Sequence, residues 1–403
     1  MYLCHPKNRH RNIIKMKILV VLSRIPFPLE KGDKLRAYYQ IKELSKQHDI
    51  YLVALYNHTV PVEAMRELTP FCREVHFLKQ NPVRSVVNMA GALLKGLPVQ
   101  CGYFYSHHNH KQIDKIIQRI HPDHIYCQLF RMAEYVKDYS IPKTLDYQDV
   151  FSKGLARRAE NAKGLVKWFF NMEHRRVARY ESEIFDRFDH KTIITAVDRD
   201  LIPHPRREEI VVVPNGVEFD KFSYHGEAKE YDLIFSGNMN YAPNVDAAEY
   251  LVQEILPPLL KIFPHLRLVL CGANPAPRVR ALEDEHVIVT GWVDSMAEWY
   301  AKSRIFIAPM RMGTGLQNKL LEAMSMQLPC VTSPLAAKPL IDADLHHAVV
   351  SCSTTAAFSE EVAKLLQDEH HYHQLAEAGF QYVCQYYDWH NAVEVLNQTI
   401  CNL

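Results

Sequence analysis

The sequence has no run of about 18 or more apolar residues, so it predicts no transmembrane helix. Its nine cysteines include no CxxC pair, and several stand inside apolar runs such as LRLVLCG and LPCVTS. They read as reduced core thiols, which excludes a disulfide framework or a structural zinc site. Net charge is almost absent at +1, which argues against a general nucleic-acid binder. No GxGxxG follows the first apolar strand, where SRIPFPLEKG stands instead, and this counts against a dinucleotide-dependent oxidoreductase. Repeats and low-complexity segments are missing too, and no DxD-type carboxylate pair stands on a suitable loop.

What remains is an ordinary globular composition, 48% hydrophobic and 23% charged. At 403 residues the chain exceeds what one core usually serves, and two domains are expected. MYLCHPKNRHRNIIK is basic and irregular, so residues 1–15 are expected to be a disordered extension or to precede the true start. From Met16 short apolar runs alternate with helical patterns: KILVVLS, DIYLVALY, REVHFLK, HPDHIYCQ, IPKTLDYQ and KTIITAV. After a Pro-marked segment the rhythm restarts with YDLIFSG, LRLVLCG, VIVTGWV, RIFIAP and PCVTS. This predicts an α/β protein with two Rossmann-like domains, each with a parallel sheet between helices. The expected division is 16–213, 214–385 and a C-terminal helical segment, 386–403, packing back on the first domain.

IFIAPMRMGTGLQNKLLEAMSMQLPCVTSPL, from Ile305, is the most telling stretch. A buried strand runs into a loop broken by Gly313 and Gly315, then a helix with Lys319 and Glu322, then another strand. Glycines let a ligand approach the backbone, and the first N–H groups of a helix face anions. A cation and a carboxylate three residues apart share one helix face. Together they suit a ligand with both phosphates and sugar hydroxyls, a nucleotide-sugar.

The same residues resemble the donor motif of the group 1 glycosyltransferases (glycosyltransferase family 4), which have the GT-B fold with two parallel sheets facing across a cleft. The family's Glu-x7-Glu pattern ends on Glu322, which by resemblance holds the donor ribose. Thr314 stands where the first Glu would be, and Lys319 fits a Gly-Thr-x-x-Lys-x-Leu-Glu variant. PNGVEFDKF, Pro214 to Phe222, is similar to the family's interdomain linker. FSGNMNYAPNVDA carries Gly237, Asn238, Asn240, Tyr241 and Asn244 where many members have an Arg and a Lys. It resembles a subgroup associated with exopolysaccharide synthesis, as does the opening of the first βα loop around Gly32. With no Arg and Lys in that place, Arg311 and Lys319 are expected to neutralise the diphosphate. Gly272 and Val293 match the family's strand–Gly and Gly-x-Val elements. Trp292 and Trp299 read as core or rim aromatics.

Gly32 is expected to let its loop approach the donor diphosphate or the acceptor, with Lys31, Lys34 and Arg36 adding charge. Asp146 and Asp149 follow an apolar strand. Asp149 would orient or deprotonate the acceptor hydroxyl, or else cap the next helix. The His107–His110 cluster reads as surface loop, with no partner at metal-ligand spacing. NPVRSVVNMAGALLKGLPVQCGYFYS and KGLVKWFFNMEHRRVARYE would form either ordinary packing or a basic, aromatic surface for peripheral membrane docking.

The reduced cysteines imply a cytoplasmic protein, and the resemblance implies an enzyme that moves a sugar from a nucleotide-sugar to a glycan or lipid-linked acceptor. It implies retention of configuration, no metal and no cofactor. A GT-B nucleotide-sugar 2-epimerase, or an inactive nucleotide-sugar-binding relative, is the alternative.

Overall fold

The computed structural model describes residues 15–402 apart from Glu30, His58 and Thr314. The N-terminal extension therefore lies outside the described residues except for Lys15, which pairs with Asp49 at 2.9 Å. The chain divides into two compact units. One takes the chain up to Pro214 and again from Trp389, and the other is Asn215–Asp388.

The first unit holds seven parallel strands: β1 Lys17–Leu22, β2 Asp49–Tyr56, β3 Glu74–Lys79, β4 His124–Gln128, β5 Lys143–Asp146, β6 His190–Ile193 and β7 Val211–Val212. Their order is β3-β2-β1-β4-β5-β6-β7. β1 shows why its run is continuously apolar. Ile18, Val20 and Leu22 enter one core while Leu19 and Val21 enter another, because successive side chains leave opposite faces of the sheet. The final helix, Trp389–Cys401, joins the first of these cores, with Trp389 stacked on Tyr39 at 4.9 Å between ring centres.

The second unit holds six parallel strands: β8 Tyr231–Ser236, β9 Leu268–Cys271, β10 Val287–Gly291, β11 Ser303–Ala308, β12 Cys330–Thr332 and β13 Val350–Ser351. Their order is β10-β9-β8-β11-β12-β13. In both sheets the chain builds outward in one direction and then reverses, between β1 and β4 and between β8 and β11. The carboxyl ends of strands at such a reversal form a crevice, where open α/β sheets take their ligands.

Each strand read from the sequence is present. The short edge strands β7 and β13 were not anticipated; two residues carry no readable periodicity, and β7 is part of the Pro-marked segment. The His107–His110 cluster is not in a loop. It opens a helix, His107–Ile120, fixed by Ile113, Ile116, Ile117 and Ile120 on its buried side and capped by Ser106. No described helix is long and apolar enough to cross a membrane.

Candidate active site

At the reversal of the second sheet, β8 ends at Ser236 and passes into Gly237 and Asn238, while β9 ends beside it at Cys271 and Gly272. These turns nearly touch. Gly272 has φ 142, and a Cβ there would lie 1.9 Å from the Gly237 carbonyl oxygen. Only glycine fits such an approach. Gly237 in turn leaves room for the Asn244 amide and the Lys319 ammonium, which would lie 2.6 and 3.3 Å from a Cβ at that position.

β11 leads through Met310 and the Gly313 and Gly315 turn into the helix Asn318–Ser325, whose first turn carries Lys319. Thr314 lies outside the described residues. The Lys319 ammonium donates to Asn244 Oδ1 at 2.7 Å and sits 4.5 Å above the centre of the Phe235 ring. Asn244 is itself fixed, its amide donating to the Asn238 carbonyl at 3.0 Å. Glu322 lies one turn further along the helix. Its carboxylate accepts from the Tyr300 hydroxyl at 3.2 Å, and that hydroxyl pairs with Ser236 Oγ at 2.7 Å.

Both side chains keep some exposed surface, but protein atoms crowd their charged ends. Burial lowers the Lys319 pKa to about 7, against the upward pull of Glu322. Burial likewise raises the Glu322 carboxyl, against its Tyr300 hydrogen bond and the charges of Lys221 and Lys319. Asn318 Oδ1 is buried without a hydrogen-bond partner among the described residues. A largely desolvated cation and a carboxylate thus stand one helical turn apart at a strand-end crevice, an arrangement able to hold a polyhydroxylated anion.

Arg311 does not join them. It is exposed, bound to Asp246 at 2.8 Å and Glu254 at 3.6 Å, and rests over the Tyr250 ring. Its side chain follows the helix Ala242–Tyr250, and two carboxylates already offset its charge. Val293 is half-buried and packs against the core of its unit, while Trp292 is 73% exposed. Trp299 stacks on Tyr231.

In the first unit two expectations need correcting. Arg36 adds no charge to the β1 loop. It is fully buried, donating to Asp146 at 2.7 and 3.0 Å and to the Val213 carbonyl at 2.8 Å. Asp146 is therefore an interior anchor and not a loop residue. It faces inward because it is still part of β5, where Thr192 also donates to it. Gly32 is the exposed first residue of the helix Gly32–Leu44, with open space where a Cβ would stand. Asp149 is exposed and accepts from the Val150 N–H at 2.6 Å just before the helix Phe151–Asn161. Nearby Glu181 and Asp198 are raised to about 7 and about 6, chiefly by burial, with the charge of Asp149 adding to both.

Tyr300 and Ser236 were missed, and so was the part Asn244 plays. Tyr300 stands 22 residues before Glu322, in the short helix Met296–Ala301 that bears no motif, so nothing local to the sequence links them.

Residues 230–368 match the family description "Glycosyl transferases group 1". No curated protein matches the chain. Among solved structures, sucrose-phosphate synthase from Thermosynechococcus elongatus is 12% identical with a TM-score of 0.66, over 95% of this chain and 98% of that one. HepE of Anabaena in complex with UDP-glucose is 14% identical with a TM-score of 0.64, over 96% of this chain and 100% of that one. A putative UDP-N-acetylglucosamine 2-epimerase from Listeria monocytogenes is less similar, with 11% identity and a TM-score of 0.53 over 94% of each chain. The two sheets, their order and these likenesses define a GT-B fold with two Rossmann-like units. The chain carries a group 1 glycosyltransferase domain in its second unit, and its class of enzyme is glycosyltransferase.

Proposed function

We propose that this glycosyltransferase moves a sugar from a nucleotide-sugar donor to a glycan or lipid-linked acceptor, with retention of configuration and without a metal ion or cofactor. The observation that carries the reading is the convergence of Lys319, Asn244 and the Gly237–Gly272 contact at the β8/β11 reversal, with Glu322 one turn away. HepE, which shares the fold, has been solved with UDP, with UDP-glucose, and with UDP and glucose.

In this reading Glu322 accepts from the ribose hydroxyls, and Lys319 with the N-terminal N–H groups of its helix faces the diphosphate. Charge grows on that diphosphate as the glycosidic bond breaks, so a fixed ammonium favours the transition state over the bound donor. Arg311 is left out, since its partners hold it elsewhere. Asp149, an exposed carboxylate in the turn between β5 and the helix Phe151–Asn161, orients the acceptor hydroxyl. Epimerases of the same fold act on the donor alone, so nucleotide release that depends on an added acceptor separates the two activities.

A lipid-linked acceptor at the cytoplasmic face of a membrane is supported by two helices of the first unit. Pro82–Leu94 exposes Val83, Val86, Val87 and Leu94, and Gly164–Phe185 exposes Leu165, Val166, Trp168 and Phe169. Arg179 of the second helix donates to the Gly96 carbonyl just past the first at 2.7 Å, which keeps the two together. Lys163 and Lys167 flank the second group in sequence. Apolar and aromatic side chains beside cations suit an anionic lipid surface.

Thermal stabilisation by a panel of UDP-, GDP- and dTDP-sugars tests the donor reading, because a ligand that binds only the folded chain raises its melting temperature. One base class is expected to stabilise the parent and not Glu322→Ala. Equal stabilisation of both would overturn the assignment.

A further inference from the structure

The reversal point of the first sheet takes no part in the chemistry above, yet it is built around two arginines. β1 and β4 lie side by side, and the chain leaves their carboxyl ends through Ser23–Arg24 and Leu129–Arg131. Leu129 holds φ 69 in a fully buried position, a backbone region strained for any side chain of its size. This strained residue directly precedes the short helical turn Phe130–Tyr135 that carries Arg131.

The Arg131 side chain is only 7% exposed. Its Nε donates to Ser23 Oγ at 3.1 Å. Among the described residues its terminal nitrogens find only long contacts, 3.4 Å to Gln100 Oε1 and 3.5 Å to Asp33 Oδ2. The Phe104 and Phe151 rings lie 4.6 and 5.8 Å from its guanidinium carbon. Arg24 is bound to the same Asp33 Oδ2 at 2.7 Å. Among the described residues, two guanidinium groups thus share one carboxylate oxygen, and the more buried of them has the poorer acceptors. Burial, together with repulsion from Arg24, brings the Arg131 pKa down to about 10, so it still carries its charge at neutral pH. A buried charge without full compensation is costly to keep, and a planar guanidinium fork matches the oxygens of a phosphate or carboxylate.

We propose that Arg24 and Arg131 bind an oxyanion, a phosphate or a carboxylate, carried by the acceptor. Only the word acceptor rests on the function proposed above; the anion site stands on its own geometry.

The test uses the full chain carrying Lys319→Ala, which removes the donor-side ammonium, and titrates inorganic phosphate or glucuronate at constant ionic strength by calorimetry. Changing Arg24→Gln in that background is expected to weaken anion binding about tenfold or more. Asp33→Asn removes the competing carboxylate and is expected to strengthen it several-fold. Structural damage would not tighten binding, so the opposite signs are diagnostic. Binding of either anion in this pattern supports the site, and the tighter one identifies the source. Unchanged affinity in Arg24→Gln, or no binding of either anion to the Lys319→Ala chain, would overturn it. Nucleotide-sugar binding to the chain with Lys319 intact is measured separately, so loss of the anion site leaves the donor reading standing.

Discussion

Lys319 carries the sharpest consequences at the scale of single residues. Its pKa of about 7 means that near pH 8 the free ammonium is largely deprotonated, whereas a bound diphosphate favours the charged form. Nucleoside diphosphate binding at pH 8 is therefore expected to take up a proton. Calorimetry in buffers of different ionisation enthalpy reads that uptake, and Lys319→Arg should abolish it. Lys319→Ala should lower turnover by around 10²–10³ while weakening nucleotide binding less, because the charge it meets is largest in the transition state. An unchanged turnover number would make Lys319 an ordinary helix residue. The depressed pKa also bears on stability. The unfolded chain binds more protons than the folded one between about pH 7 and the ordinary lysine value, so this contribution grows as pH rises through that window. Spacing made Lys319 and Glu322 legible in the sequence, since one helix face brings residues three apart together. Tyr300 and Arg131 were not legible, because tertiary contacts and not sequence neighbours define them.

At the scale of elements, glycines that look alike in the sequence separate. Gly272→Ala forces a Cβ against the Gly237 carbonyl at a positive φ, and should destabilise the second unit by about 3 kcal/mol. Gly32→Ala meets open space in the first turn of a helix and should be neutral or stabilising by up to about 1 kcal/mol. Denaturant midpoints of the two variants check the contrast. If Gly32→Ala instead loses ligand binding with its stability intact, close backbone approach is the role of that glycine after all. The continuously apolar strands declared themselves through their runs of valine, isoleucine and leucine. Arg36 misled because a cation in a helix just after a strand end reads as exposed. Its actual place is beside Asp146, where it ties that helix to β5 and to Val213 just past β7. Arg36→Met would leave the Asp146 carboxylate buried without its cation, a loss of about 3–5 kcal/mol.

For the whole molecule the open question is where its exposed apolar surface goes. Leu165 is 85% exposed, Trp168 63% and Leu94 91%, on helices whose other faces are packed. Scattered apolar side chains need no explanation, but here two helices linked through Arg179 expose seven large ones and a partly exposed Phe169, with Lys163 and Lys167 close by in sequence. An amphipathic surface of this kind inserts to the level of the lipid headgroups, and its affinity combines apolar burial with attraction to anionic lipid. The protein is expected to cosediment with vesicles containing anionic phospholipid and to release in part at high salt, because screening weakens the ionic share. The double variant Leu165→Asp, Trp168→Asp should lose vesicle binding while keeping its nucleotide-sugar affinity, since Glu322 and Lys319 belong to the other unit. Equal binding of parent and variant, or equal binding to neutral and anionic vesicles, would remove the membrane from this account. The fold would then place its acceptor in solution, and the two helices would be left as a surface for some other contact.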